Sequence, residues 1–107
     1  MASGDETLKF LGVHALTNSP NETTVTAGHT YTVISVSFCE MGGTDESISM
    51  YVDDASNDIY ILSLQSLPAN STFVYNDKIV LEAADKLGFL STAGNVDVAV
   101  SYLDQEL

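Results

Sequence analysis

The stretch Asp53-Asp54-Ala55-Ser56-Asn57-Asp58 is where this chain comes nearest to chemistry. Asp54, Ser56 and Asp58 take the alternate positions that open a calcium loop, where side-chain oxygens converge on one cation. The pattern then breaks. Ile59 stands where the tight loop wants glycine, and Gln65 stands where a bidentate glutamate closes the site. A hairpin turn in which Asp and Asn side chains bond the local backbone accounts for the same residues, so no metal is expected here. His14 and His29 have no cysteine or second histidine at ligand spacing, and a zinc site needs three or four such ligands. His29 follows Gly28 and is expected exposed in a turn. Cys39 is the sole cysteine, which rules out an intrachain disulfide. It ends the apolar run Ile34, Val36, Phe38, with no base nearby in sequence to activate its thiol, and reads as a small hydrophobe. Serine, histidine and aspartate all occur, but without a nucleophile elbow or a glycine-rich phosphate loop. No catalytic residue and no cofactor is therefore assigned, and the expectation is a protein that is not an enzyme.

Function then has to come from surfaces, and the charge limits which ones. Fifteen Asp and Glu stand against three lysines and no arginine, a formal net charge of −12. Binding to nucleic acid or to an anionic membrane needs clustered Lys or Arg, so neither partner is expected. The acidity fits solubility at high copy number or a complementary basic partner surface. At 107 residues the chain is sized for one domain. Met1 to Glu6 lack the basic start and apolar core of a signal peptide. Synthesis in the cytoplasm is the expectation, with residues 1–6 a mobile arm and 7–107 one domain.

The elements that carry these surfaces alternate with period two. Val96-Asp97-Val98-Ala99-Val100-Ser101-Tyr102 places large apolar groups at every second position, as a strand with one buried face requires. Val96, Val98, Val100 and Tyr102 are predicted to face the core, and Asp97 and Ser101 to face outward. Tyr31 to Phe38 reads the same way, with Thr32, Ile34, Val36 and Phe38 on one face. From Ser47 to Val52, the residues Ile48, Met50 and Val52 point inward and Tyr51 outward. Shorter strands are expected at Lys9–Leu16, Thr23–Thr26, Ile59–Leu62, Phe73–Tyr75, Ile79–Leu81 and Leu87–Leu90. Glu82 to Leu87 has helical composition but is too short to be stable as an isolated helix, and a turn is preferred. Seven to nine short strands at roughly 8–12 residue spacing predict an all-β antiparallel sandwich, jelly-roll-like or immunoglobulin-like.

One strand carries more apolar surface than a single core can use. Ile59, Tyr60, Ile61, Leu62 and Leu64 are apolar on both faces, which predicts cover from a second chain. Tyr51 and Tyr60 add amphipathic rings of the kind that serve at interfaces or over sheet edges. Ile59, Tyr60, Leu62, Leu64 and Tyr51 are accordingly the expected partner interface.

Five segments, in this order, carry a family resemblance: YTVISVSFC (Tyr31–Cys39), SMYVDD (Ser49–Asp54), LPANS (Leu67–Ser71), KIVLEA (Lys78–Ala83) and VDVAVSYL (Val96–Leu103). The chain from Tyr31 onward resembles small structural proteins of tailed bacteriophages, especially those of marine bacteria and cyanobacteria. Met1 to Gly28 lie outside the resemblance. It implies a virion component, expected as a multi-copy decoration (cement) protein on the capsid exterior and as a homo-oligomer there. The implied partners are the major capsid protein or neck and tail proteins of the same virion. A neck, collar or tail-fibre-anchoring component is the alternative within that class. A host-surface carbohydrate-binding module is a further one, against which the absence of tryptophan counts.

Overall fold

A computed structural model describes residues 5–107 and shows nine strands in two antiparallel sheets. They are β1 (Asp5–Leu16), β2 (Asn21–Thr24), β3 (His29–Glu40), β4 (Glu46–Asp53), β5 (Asp58–Leu67), β6 (Thr72–Tyr75), β7 (Ile79–Leu81), β8 (Lys86–Ser91) and β9 (Val96–Glu106). The first sheet runs β1-β9-β3-β6, with β7 also pairing β3, and the second runs β2-β8-β4-β5. Short connections over residues 17–20 and 68–71 carry the chain from one sheet to the other, so β1 and β2 flank one side of the sandwich and β5 and β6 the opposite side. This strand order is that of a jelly roll, not of an immunoglobulin sandwich. Glu82 to Asp85 form a turn, closed by the Asp85 N–H donating to the Glu82 carbonyl at 3.0 Å.

The core lies where the inward side chains of both sheets meet. Val96, Val98 and Val100 of β9 are buried, Tyr102 packs against them, and Ser101 is exposed, as the alternation requires. Phe38 of β3 meets Phe89 of β8 edge to face, with centroids 5.9 Å apart, which ties the first sheet to the second.

Two β-bulges interrupt the first sheet, and one of them overturns an expectation. In β3 the register against β9 slips between Val33 and Ser35, which leaves Ile34 as the extra residue. Tyr31 and Val33 are therefore buried with Val36 and Phe38, while Ile34, expected inward, is exposed. In β1 the register slips between Val13 and Leu16, where Ala15 takes a left-handed φ of 54°. The Asp97 carboxylate accepts the Ala15 N–H at 2.9 Å and so holds that bulge in place. Asp5 and Glu6, expected in a mobile arm, are instead the first rungs of β1, opposite Glu106 and Gln105. The rest of that arm, Met1 to Gly4, lies outside the described residues.

Buried carboxylates fasten the loops. Glu40 accepts N–H donors from Gly42, Gly43 and Asn70 at 2.8–3.0 Å, joining the β3–β4 loop to the β5–β6 turn. Glu46 does the same for Ala93 and Gly94 at 2.9 and 3.2 Å. These bonds satisfy groups that would otherwise be costly to bury.

Candidate interaction surfaces

The Asp53–Asp58 turn uses its own oxygens. Asp54 Oδ1 accepts the N–H groups of Ser56 and Asn57 at 3.0 and 2.8 Å, and Asp53 Oδ1 accepts that of Ala55 at 2.9 Å. The bonds from Asn57 and Ser56 hold the Asp54 carboxyl below its ordinary value. A carboxylate already committed to backbone donors is a poor nucleus for a cation site. Among the described residues, no three His, Cys, Asp or Glu side chains gather where they could hold a metal.

The histidines are tied into acid–base pairs. His29, expected exposed in a turn, opens β3 and is partly buried, with Nδ1 2.6 Å from Asp104 Oδ1. Lys9 Nζ reaches Asp104 Oδ2 at 2.8 Å. Burial alone pushes the Asp104 carboxyl up, but the bonds from Lys9 and His29 outweigh it and hold the group low. In turn, the hydrogen bond to Asp104, followed by its charge, holds the Lys9 ammonium above its ordinary value. His14 Nδ1 lies 3.0 Å from Asp97 Oδ1 on the outer face of the first sheet.

Beside this pair the sheet is shallow. Gly12, Ala99 and Ser37 sit side by side on β1, β9 and β3, and their small side chains floor an open depression of about 420 Å3. Phe10, His14, Cys39 and Asp97 also line it, and the Phe10 ring lies against Gly12. The Cys39 thiol contacts Met41 Sδ at 3.6 Å. Leu8, 73% exposed, and Phe10, 69% exposed, continue an apolar strip along β1. The strip has no signal in composition: Leu8 and Phe10 read as ordinary members of an alternating strand, and only the sheet order reveals that they face away from the core.

The residues expected at the partner interface separate into two groups. Ile59, Tyr60 and Leu64 are exposed on β5, the edge strand of the second sheet, with Leu64 at 65%. Leu62 is only 9% exposed and belongs to the core, which corrects its assignment to the interface. The cause is irregular pairing of β5 with β4 on both sides of Met50. Leu64 takes a left-handed φ of 53°, and its N–H donates to Ser49 Oγ at 3.1 Å instead of continuing the ladder. That turns Leu64 outward while Leu62, two residues earlier, stays inward.

Tyr51 is also corrected. It is buried at 2% exposure, yet it lies outside the core cluster. Its ring covers Gly88 of the neighbouring β8 and packs on Tyr60 with centroids 5.3 Å apart. Its hydroxyl donates to Glu22 Oε2 of β2 at 2.5 Å. Burial, reinforced by the bond to Glu22, pushes the Tyr51 phenol well above its ordinary value. Tyr51 therefore supports Tyr60 from the neighbouring strand rather than offering surface itself.

No family model matches the sequence, and no curated protein matches it. Among solved structures, the chain is similar to the Drosophila NLP core, whose structure is described as giving insight into pentamer formation and histone binding. The two share 18% identity with a TM-score of 0.54, over 89% of this chain and 96% of the other. It is also similar to a chain in the structure of infectious bursal disease virus, Gx strain, at 8% identity and a TM-score of 0.50. That match spans 98% of this chain but 38% of the viral one. At these identities the likeness is one of fold.

Proposed function

We propose that this chain is a non-enzymatic structural protein of a bacteriophage particle, a decoration protein that occupies the capsid exterior in many copies. The observation that carries the reading is the β5 patch. Tyr60 and Leu64 are exposed on an edge strand and Tyr60 is held in place by Tyr51, while Ile59, paired with Val52, is exposed on the other face of the same edge. An anchored aromatic beside a branched apolar group is the composition of an interface centre. The ordered segments from Tyr31 to Leu103 support placement among phage structural proteins, and the sandwich shared with a viral chain is compatible with it. Binding of the isolated protein to purified particles that lack it tests the proposal. Saturable binding by the wild-type protein, lost in Tyr60→Ser and Leu64→Ser, is the expected result. Attachment confined to the neck or tail would favour the collar alternative.

A second reading has its own support. An acidic jelly roll of net charge −12 resembles in fold a core described in connection with histone binding. On that reading the chain captures a basic protein surface through its carboxylates. Such binding would collapse with added salt, whereas contact through the β5 patch would not.

A further inference from the structure

The four sheet edges differ in how well they are protected. At one edge β6 and β7 are short and interrupted over residues 76–78, and β2 has four residues directly after Pro20. At another, β5 is distorted at two places in its pairing. Short strands, prolines and bulges are the ordinary devices that stop a sheet edge from recruiting another strand. β1 has none of them from Asp5 to Val13, where its register with β9 is unbroken. Within the described residues it pairs on one side alone. The same strand carries the exposed Leu8 and Phe10. Lys9 is the charge within the stretch from Thr7 to Val13, and Asp104 holds its ammonium at 2.8 Å, so this long, regular edge remains a template for one more strand.

We infer that β1 pairs antiparallel with β1 of a second copy of this chain, about a twofold axis at Phe10, to form a continuous sheet across a dimer. The occupant follows from the residues that this register sets opposite one another. Positions whose numbers sum to twenty face each other and share a sheet face. Phe10 meets Phe10 of the second copy, an aromatic pair of the kind that stabilises cross-strand contacts. Leu8 falls opposite Gly12, where the Phe10 ring already lies 3.1 Å from the place a Cβ would take, so the leucine packs on that ring and meets no side chain of Gly12 itself. Glu6 falls opposite His14, so acid meets imidazole instead of another acid. Lys9 faces Leu11, which keeps the two lysines apart. A parallel pairing in register would set Glu6 beside Glu6 and Lys9 beside Lys9. Isologous pairing of one strand with itself closes at two subunits and leaves no further edge of this kind to extend. The dimer uses the side of the sandwich opposite the β5 patch, so both surfaces work at once and the inference stands apart from what that patch binds.

Sedimentation equilibrium of the full chain at concentrations on the order of 100 μM tests this, with hydrogen exchange as a second readout. The wild-type protein should sediment at twice the chain mass of 11.4 kDa, with slowed amide exchange along β1. Leu8→Glu combined with Phe10→Glu should give a monomer with unchanged circular dichroism, because both side chains are exposed. Tyr60→Ser should remain dimeric while losing particle binding, which separates this inference from the attachment proposal. A wild-type protein that stays monomeric at that concentration, or a Leu8→Glu/Phe10→Glu variant that stays dimeric, would overturn the inference.

Discussion

Tyr51 lies across Gly88, so closely that a Cβ built on the glycine would stand 2.2 Å from Tyr51 Cζ. No side chain larger than hydrogen fits there while the ring keeps its place. The contact ties β4 to the other three strands of the second sheet: Glu22 on β2 takes the phenol's hydrogen bond, Gly88 on β8 is the floor, and Tyr60 on β5 packs alongside.

Gly88→Ala is therefore expected to displace the Tyr51 ring and to cost about 1–3 kcal/mol, the range typical of overpacking. Thermal denaturation checks it. Combined with Tyr51→Ala, the glycine substitution should cost much less than it does alone, because the collision is gone. Full additivity of the two losses would show that the ring and the glycine are not coupled.

On β9, Val98→Asp would bury an unpaired carboxylate between the sheets and is expected to prevent folding. Asp97→Asn keeps an oxygen for the Ala15 N–H and should cost little, whereas Asp97→Ala leaves the β1 bulge without its acceptor and should cost about 1 kcal/mol. Urea titrations of the three variants give the order directly. Equal stability for Val98→Asp and Asp97→Asn would contradict the assignment of faces.

Glu40 and Asp104 fix the direction of the acid response. The Asn70 N–H, then the loop donors after Glu40, hold its carboxyl below the ordinary value, and Lys9 and His29 do the same for Asp104 against the effect of burial. A carboxyl whose folded-state pKa is depressed contributes stability that is complete above its unfolded value and is lost as pH falls through its folded one. Stability should therefore decline below about pH 4, where free carboxylates begin to protonate. Glu40→Gln should be less stable than wild type at pH 7, and the gap should narrow in acid. A gap of equal size at pH 7 and pH 3 would contradict the account.

Leu62 and Leu64 give opposite outcomes for the same substitution. Leu62→Ser removes a core side chain and adds a buried hydroxyl, and it should destabilise the domain by about 2–5 kcal/mol. Leu64→Ser, on an exposed side chain, should change stability by no more than about 0.5 kcal/mol. Chemical denaturation of both variants decides it, and a larger loss at Leu64 would mean that the bulge on β5 is misplaced.

That contrast also marks how far the sequence could be read. Alternation located β3, β4 and β9 and gave the faces of β9, because each such strand buries one side and wets the other; β5, β6 and β7 read as short apolar runs, and half of β2, Asn21 and Glu22, reads as loop. It failed at Ile34 and Leu62, in strands where an inserted residue resets the phase and looks no different from its neighbours. It could not see that Leu62 is inward and Leu64 outward, nor that Tyr51, correctly placed off the core, would be buried over a glycine from another strand. The roles of Glu40, Glu46 and Asp104 depend on partners far away in the chain, and local patterning carries no trace of them. Of the five expected interface residues, Ile59, Tyr60 and Leu64 are on the surface, and β1 contributed an exposed strip that alternation alone concealed.

The central claim is attachment to a capsid through the β5 patch, and its most direct measurement is the number of copies that purified, chain-free particles take up at saturation. The account predicts a number that scales with the subunits of the shell. It also predicts that Tyr60→Ser, which removes an aromatic side chain worth about 1.5–3 kcal/mol on burial, weakens binding tenfold or more while the free domain melts as before. Saturation at a handful of copies, or undiminished affinity in a folded Tyr60→Ser protein, would contradict it.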